Sequence, residues 1–242
     1  MYVYKLTISY DGTDFFGWQI QKNRRTVQGV IQASLKRFFE GGFKFVGASR
    51  TDRGVHAEGQ VASLHLPHPL KIDEKRFLRA LNSALPHDIH IKSIEPAKEN
   101  FHARFSARGK YYRYTISALR NPFTSRYEWQ IDFSLDFEHL STLASLTKGT
   151  FNFKHLLIGD PDNSPIVKLF STNVEKSGEK FIFHIVGDRF TYKLVRILIG
   201  EMVYNTRKHL GIKDYIEFLN NKKPKSFHIA PANGLYLVNV FY

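Results

Sequence analysis

The 242-residue chain carries 35 Lys and Arg against 22 Asp and Glu, and this formal charge of +13 points to a polyanionic partner such as nucleic acid. The sequence contains no cysteine, which excludes a disulfide scaffold, a thiolate nucleophile and cysteine-rich zinc sites and fits the reducing cytoplasm. The 11 His lack the spacing of metal ligands, so we expect no metal site. No apolar run reaches the ~20 residues of a membrane span. An anionic membrane surface is the competing polyanion, although no basic amphipathic helix stands out.

Hydrophobic periodicity predicts a mixture of strands and helices in the first half of the chain. Met1 to Tyr10 lacks the basic-then-apolar order of a signal peptide and is typical of a strand. The predicted elements are, in order, that strand, a helix capped by Thr26 with apolar Val27, Val30, Ile31 and Phe38, strands at 44–46 and 60–66, a helix capped by Asp73, and a short strand through Ile89, Ile91 and Ile94.

The second half repeats the mixture. Its predicted elements are a strand at 110–117, a helix at 135–147, a hairpin of 166–175 and 180–186 turning at Ser177-Gly178, a nearly all-apolar helix at 190–206, a short helix at 214–219 and a closing strand at 234–242. This pattern predicts an α+β fold of two α/β-sandwich domains with mainly antiparallel sheets. We place the domains at residues 1–104 and 105–242.

The stretch from Gly47 to Ala57 has no periodic apolar pattern and carries Asp52 between Arg50 and Arg53. Alternating strands on either side would hold it as a loop on one sheet, where catalytic groups usually lie. Asp52 could be a nucleophile or a general base, and the two arginines should favour its charged form and depress its pKa. Gly54 would let the backbone turn. The alternative is a salt-bridged surface turn, which composition alone favours.

A long connection between residues 10 and 25 combines turn residues, the indole of Trp18 and three positive charges at Lys22, Arg24 and Arg25. It is either an arm that grips RNA or a polar loop anchored by one Trp. Composition does not separate the two interpretations.

Aromatic residues are plentiful, with 21 Phe and 12 Tyr, and several lie among basic ones. Such a mixture suits RNA, because aromatic faces stack on unpaired bases while Lys and Arg follow the phosphates. Alternation puts Tyr112 and Tyr114 on one face of their strand and Arg113 on the other. Tyr112 either faces a cleft and stacks on a base or packs in the core, and the sequence alone slightly favours the core.

Arg196 interrupts the apolar run from Leu194 to Ile199, where an unpaired guanidinium would be costly to bury. It therefore needs an anionic partner. The candidates are a structural carboxylate, a nucleic-acid phosphate, or Asp52 across a domain cleft, and a structural salt bridge is the default.

Taken together, these segments resemble the TruA family of tRNA pseudouridine synthases. The core motif Arg-Thr-Asp-x-Gly-Val-His-Ala at residues 50–57 is specific, and the match covers nearly the whole chain in the family's order. The other matching segments are Tyr10-Asp11-Gly12, Phe16-Gly17-Trp18-Gln19, Thr26-Val27-Gln28, 101–105, Tyr112-Arg113-Tyr114, Val195-Arg196 and 234–237. The resemblance implies the pseudouridine synthase fold, with two ferredoxin-like or RRM-like domains flanking a central basic cleft.

By that resemblance the protein isomerises uridine to pseudouridine at nucleotides 38–40, in the anticodon arm of tRNA. It would use no metal or organic cofactor and would act as a homodimer whose subunits both touch the RNA. The implied site residues are catalytic Asp52, Arg50 and Arg196 and substrate-binding Tyr112, Arg24, Arg25 and His56.

Within this set, Asp52 matches the catalytic aspartate, proposed to act at the base or at the sugar carbon, and Arg196 matches the arginine that pairs with it. Tyr112 matches the tyrosine that contacts the target base, and Arg50 would help to hold the flipped nucleotide. One departure from the family pattern is Ser49, which stands where Gly is usual and suggests a slightly different loop backbone.

Two other functions compete with this one. A non-catalytic RNA-binding protein would keep the charge and the aromatic surface without the reaction. A nucleoside or glycoside hydrolase is a weaker alternative, because no second carboxylate pairs with Asp52 to serve as general acid.

Overall fold

The computed structural model describes residues 1–40, 42–157, 164–220 and 226–242. These residues form ten strands, which are β1 (Tyr2–Tyr10), β2 (Lys44–Gly47), β3 (His56–Leu66), β4 (Ile89–Ala97), β5 (Gly109–Ser117), β6 (Trp129–Gln130), β7 (Gly149–Asn152), β8 (Ile166–Ser177), β9 (Lys180–Gly187) and β10 (Leu235–Phe241). The α-helices of the same residues are α1 (Val27–Leu35), α2 (Glu74–Ser83), α3 (Phe137–Leu146), α4 (Leu194–Arg207) and α5 (Ile212–Leu219).

The chain divides into two compact units. The first unit is Met1–Arg108 together with Tyr236–Tyr242, and the second is Gly109–Leu235. This division differs from the predicted domains 1–104 and 105–242, because nearly all of the closing strand β10 belongs to the first unit. It does so by pairing in parallel with the start of β3, Tyr236 opposite His56.

The sheet of the first unit has the order β4-β1-β3-β10, and β2 pairs with β3 as well. Apart from the parallel pairing of β10, its ladders are antiparallel. Buried residues alternate along β1, as expected for a strand with one face on the core. Leu6 and Ile8 of β1 and Ile31 and Leu35 of α1 are fully buried.

The sheet of the second unit runs β5-β9-β8-β7, with antiparallel ladders, and the short β6 pairs with β5 in parallel. Helix α3 packs on β8 and on α4. The hairpin of β8 and β9 turns at Gly178, whose φ of 57° lies in the left-handed region that glycine adopts readily. The predicted α+β class with mainly antiparallel sheets is confirmed.

Helix caps were predicted well. Thr26 accepts a hydrogen bond from the Gly29 N–H, and Asp73 accepts one from the Arg76 N–H, each at the start of its helix. Such caps satisfy amide groups that the helix cannot pair internally.

Two helix boundaries were wrong. Helix α1 ends at Leu35, so Phe38 lies beyond it, exposed and in edge contact with Phe77 at 5.4 Å between ring centroids. Helix α4 begins at Leu194 and not at residue 190, since the preceding Lys193 has a φ of 60°. A left-handed residue interrupts a right-handed helix even where the apolar pattern continues.

Candidate functional site

The loop that carries Asp52 spans the gap between β2 and β3, as predicted. These two strands pair antiparallel, from Lys44 opposite His65 to Gly47 opposite Ala62, so both ends of the loop are held by one sheet. The Val55 N–H donates to the Asp52 carbonyl, and Gly54 turns the backbone with a φ of 78°. Only glycine takes such a φ without cost, which is the role predicted for Gly54.

Polar groups of the first unit hold the start of this loop. The Gln60 side chain accepts from the Ser49 N–H at 3.2 Å and donates to the Ser49 carbonyl at 2.8 Å. Ser49 is not among the described residues with a positive φ, so this backbone does not require glycine there. The Thr51 hydroxyl lies 2.7 Å from the Tyr10 hydroxyl. Asp52 itself is half-buried, and Arg50 is exposed.

The connection between residues 10 and 25, which we call the arm, packs against the same loop. The Trp18 N–H donates to the Thr51 carbonyl at 3.1 Å, and the Gly54 N–H donates to the Phe15 carbonyl at 3.3 Å. A Cβ atom on Gly17 would lie 2.5 Å from the Thr51 carbonyl oxygen and 3.1 Å from the Asp52 carbonyl carbon.

Gly12 makes a second close approach, since a Cβ there would lie 2.0 Å from the Val55 carbonyl oxygen. The arm and the loop therefore touch backbone to backbone at two glycines. From the sequence, these glycines were interpreted only as turn residues. The signal that could have indicated their close contact with the loop is that both lie near aromatic residues that are buried.

Trp18 anchors the arm from within the core of the first unit. Its side chain is 1% exposed and lies against Gly47, with Tyr10 and Phe45 each 6.1 Å away between ring centroids. The indole is therefore a structural anchor for the arm.

The two predicted arginines of the arm have different surroundings. Arg25 donates through both terminal nitrogens to the Asp88 carboxylate, at 2.8 and 3.0 Å, and lies over the Phe15 ring. Arg24 is exposed and lies 4.5 Å from the centroid of the Phe16 ring. Arg25 thus fixes the arm to the unit, whereas Arg24 stays exposed over the Phe16 ring.

His56 is 2% exposed at the start of β3. Its Nδ1 accepts the Gly12 N–H at 3.1 Å and lies 3.2 Å from a carboxylate oxygen of Asp11, and its ring stacks on Tyr236 at 4.7 Å. These contacts make the imidazole a brace for the beginning of the arm.

In the second unit, Arg196 lies on α4 between the buried residues Val195 and Ile197 and is itself half-buried. Its Nε donates to the Ala230 carbonyl at 2.7 Å, and the Ala230 N–H donates back to the Arg196 carbonyl at 3.0 Å. Gly200 lets the segment before Ala230 approach, since a Cβ would lie 2.3 Å from the His228 carbonyl oxygen.

Tyr112 and Tyr114 share a face of β5, as alternation predicted, and both are buried, at 7% and 0% exposure. Tyr112 meets the edge of Phe190 at 5.0 Å between ring centroids, a neighbour that the sequence did not suggest. The Tyr114 hydroxyl donates to the Pro231 carbonyl at 2.9 Å. Burial raises the pKa of Tyr114, and the nearby charge of Arg196 opposes that shift.

The structure thus gathers Arg24, Arg25, Arg50, Asp52 and His56 around the arm and the loop of the first unit. Within the second unit, Tyr112 and Arg196 lie on β5 and α4. Among the described residues, no three His, Asp or Glu side chains cluster as a metal site, and no helix is long and apolar enough to cross a membrane.

Comparisons with known proteins agree with these features. A family model described as tRNA pseudouridine synthase matches residues 6–106 and 143–242. Proteins named tRNA pseudouridine synthase A are similar over nearly their full lengths: 37% identity with that of Acetivibrio thermocellus (98% of each chain) and 35% with that of Dictyoglomus thermophilum (99% of each). The protein of the same name from Latilactobacillus sakei is 34% identical over 99% of this chain and 98% of its own. With the motif at residues 50–57 on a braced loop, these matches establish that the chain belongs to the TruA family of tRNA pseudouridine synthases, which are isomerases that convert uridine to pseudouridine in tRNA.

Proposed function

We propose that this chain forms pseudouridine at nucleotides 38–40, in the anticodon arm of tRNA, acting in the cytoplasm as a homodimer with Asp52 as its nucleophile. One observation carries the proposal. A half-buried carboxylate follows Arg50 and Thr51 of the family motif, on a loop tied to β3 on one side and to the arm on the other. A catalytic carboxylate must be held in this way to meet a reacting carbon in a fixed geometry.

The reaction is balanced without a co-reactant. The C1′–N1 glycosidic bond breaks, the uracil turns, and a C1′–C5 bond forms, while C5 loses a proton and N1 gains one. The target nucleotide must leave its stack for a protein group to reach these atoms. Asp52 would attack either the sugar carbon or the base, and each route uses a carboxylate in its ionised form.

The other predicted residues divide into two kinds. Arg50, exposed beside Asp52, would hold a phosphate of the flipped nucleotide, and Tyr112 would provide the aromatic wall for the detached uracil. Arg196 would supply a positive charge for the same reaction from α4. The contacts of Arg25 with Asp88 and of His56 with Gly12 favour positioning roles for those two residues.

The test is to incubate purified protein with unmodified tRNA transcripts and to map pseudouridine by chemical modification. We expect product in the anticodon arm with wild type and none with Asp52→Asn, an isosteric change that removes the nucleophilic charge. Glu95→Gln is the matched control, because Glu95 is an exposed carboxylate on β4 of the same unit, and it should retain full activity.

Other results would contradict the proposal in different ways. Pseudouridine formed equally by Asp52→Asn would remove Asp52 from the chemistry, and product outside the anticodon arm would overturn the proposed target. Tight binding by wild type with no product on any tRNA would favour the non-catalytic RNA-binding alternative.

A further inference from the structure

Two positively charged side chains lie over the Phe16 ring. The guanidinium carbon of Arg24 lies 4.5 Å from the ring centroid and that of Arg53 lies 4.3 Å from it. The two guanidinium groups are therefore within about 9 Å of each other. Both arginines are exposed, whereas Phe16 is half-buried.

Hydrogen bonds to its backbone hold Phe16 in place. The Phe16 N–H donates to the Arg25 carbonyl at 2.8 Å, and the Gln21 side chain donates to the Phe16 carbonyl at 2.7 Å. The adjacent Phe15 carbonyl accepts the Gly54 N–H, next to Arg53. The ring is thus tied to the segment that carries Arg24 and to the loop that carries Arg53.

The positive charges of Arg24 and Arg53 favour binding of an anion. Two like charges at such a distance repel each other, even though each gains from the face of the ring. Arg25, one residue away, is neutralised by Asp88. Among the residues that the structure describes, no carboxylate lies within ion-pair distance of Arg24 or Arg53.

The geometry also selects the kind of anion. A guanidinium that lies over an aromatic ring uses its flat face for the ring and keeps its N–H edge for a ligand. That edge matches the oxygens of a phosphate in a two-pronged contact. Arg53 follows Asp52 directly, so a phosphate bound there would belong to a nucleotide at or beside the one that reacts.

We propose that Phe16, Arg24 and Arg53 form a phosphate clamp, which holds the RNA backbone next to the nucleotide that Asp52 attacks. The clamp rests on the proposed function, since its ligand is the tRNA backbone. The motif leaves the position of Arg53 open, so the family resemblance assigns that residue no role.

The test measures tRNA affinity at several salt concentrations and, separately, the rate of pseudouridine formation at saturating tRNA. Arg53→Ala should raise the Kd about tenfold, as for loss of one charge-assisted contact, and lower the log–log salt slope by roughly 0.7 to 0.9. The saturated rate should change less than about twofold, because the clamp holds ground state and transition state alike.

Matched variants distinguish the loss of the clamp from a general loss of positive charge. Arg76→Ala removes an exposed arginine of the same unit that pairs with Asp73, and it should leave the Kd and the salt slope near wild type. Arg53→Lys should restore the slope but only part of the affinity, since an ammonium cannot make the planar contact. Phe16→Leu should weaken binding with all charges retained.

The possible failures are distinguishable. If wild type modifies tRNA and Arg53→Ala behaves like Arg76→Ala, the clamp is refuted and the proposed function stands. A fall in the saturated rate with an unchanged Kd would also refute it, because Arg53 would then act on the chemistry. Absence of binding and product in wild type would refute both proposals at once.

Discussion

The loop that carries Asp52 and the helix that carries Arg196 differ in what fixes their backbones. The loop has no regular hydrogen-bond ladder of its own and depends on the arm, through the contacts of Gly12 and Gly17. Helix α4 satisfies its own backbone, and Arg196 is then held by its side chain, bonded to the Ala230 carbonyl. A single methyl group on Gly12 or Gly17 should therefore displace the backbone of the loop. The contact of Arg196 with Ala230, in contrast, should be lost only when the Arg196 side chain is removed.

The largest effect is expected from Gly17→Ala. The new Cβ would lie 2.5 Å from the Thr51 carbonyl oxygen, and the residue has a φ of 84°. Overpacking and the left-handed backbone together should lower the free energy of unfolding by roughly 2–5 kcal/mol. Because this clash would displace the backbone at Asp52, the rate of pseudouridine formation should fall more than tenfold. Urea unfolding and single-turnover assays measure the two effects.

Gly42→Ala is the control for that change. Gly42 has a similar φ of 82°, but no atom of the described residues outside its chain neighbours lies within 4 Å of its Cβ position, so only the left-handed strain of about 1–2 kcal/mol applies. Equal effects of the two substitutions on turnover would show that the close approach of arm and loop is unimportant.

Arg196→Ala should have the next largest effect. We expect the saturated rate to fall at least tenfold while the Kd for tRNA changes less than threefold, because the side chain is half-buried on α4 and bonded to the Ala230 carbonyl. Arg196→Lys keeps the charge without the Nε donor and should be intermediate. Equal losses in rate and affinity would assign Arg196 to RNA contact or to folding.

These two regions also show what the sequence could predict. The sequence predicted that β2 and β3 hold the two ends of the Asp52 loop and that a glycine turns its backbone. It did so because alternation and turn glycines are local signals. The contacts of Gly12 with Val55 and of Arg25 with Asp88 join residues far apart in the chain, and no local pattern encodes them. The start of α4 was missed for a related reason, since the apolar run before Leu194 hides the left-handed Lys193.

Two tyrosine hydroxyls offer a smaller test of the same contrast. The Tyr10 hydroxyl lies 2.7 Å from the Thr51 hydroxyl of the loop. The Tyr114 hydroxyl donates to the Pro231 carbonyl, next to the Ala230 carbonyl that binds Arg196 of α4. Replacing either by Phe should lower the free energy of unfolding by about 1 kcal/mol. Only Tyr10→Phe should also slow turnover, because Thr51 precedes Asp52.

Tyr2→Phe is the control, since Tyr2 is 48% exposed and should change neither quantity. A slower reaction in Tyr114→Phe, at unchanged tRNA affinity, would mean that α4 transmits small shifts to the chemistry as readily as the loop does.

The smallest expected effect is a loss of stability at low pH, and it involves a turn outside the loop and the helix. His102 Nδ1 accepts the N–H groups of Arg104 and Phe105, both at 3.2 Å. Burial, followed by the charge of Lys44, lowers the pKa of His102, and the same two causes, in the same order, lower the pKa of His65. Protonation of His102 would remove the acceptor that both amides share.

The unfolded chain therefore binds protons more readily than the folded one as the pH falls below about 6.5, the ordinary pKa of histidine. Stability should be full above that pH and should decline below it until the lowered pKa of the folded state is passed. Urea unfolding at pH 7.5 and at pH 5.5 measures this decline, and His102→Asn, which offers an uncharged acceptor, should reduce it. Lys44→Gln should lessen the decline too, since removing that charge raises both histidine pKa values toward their ordinary value. An unchanged pH dependence in both variants would move the acid sensitivity to other groups and leave the turn at His102 without a part in it.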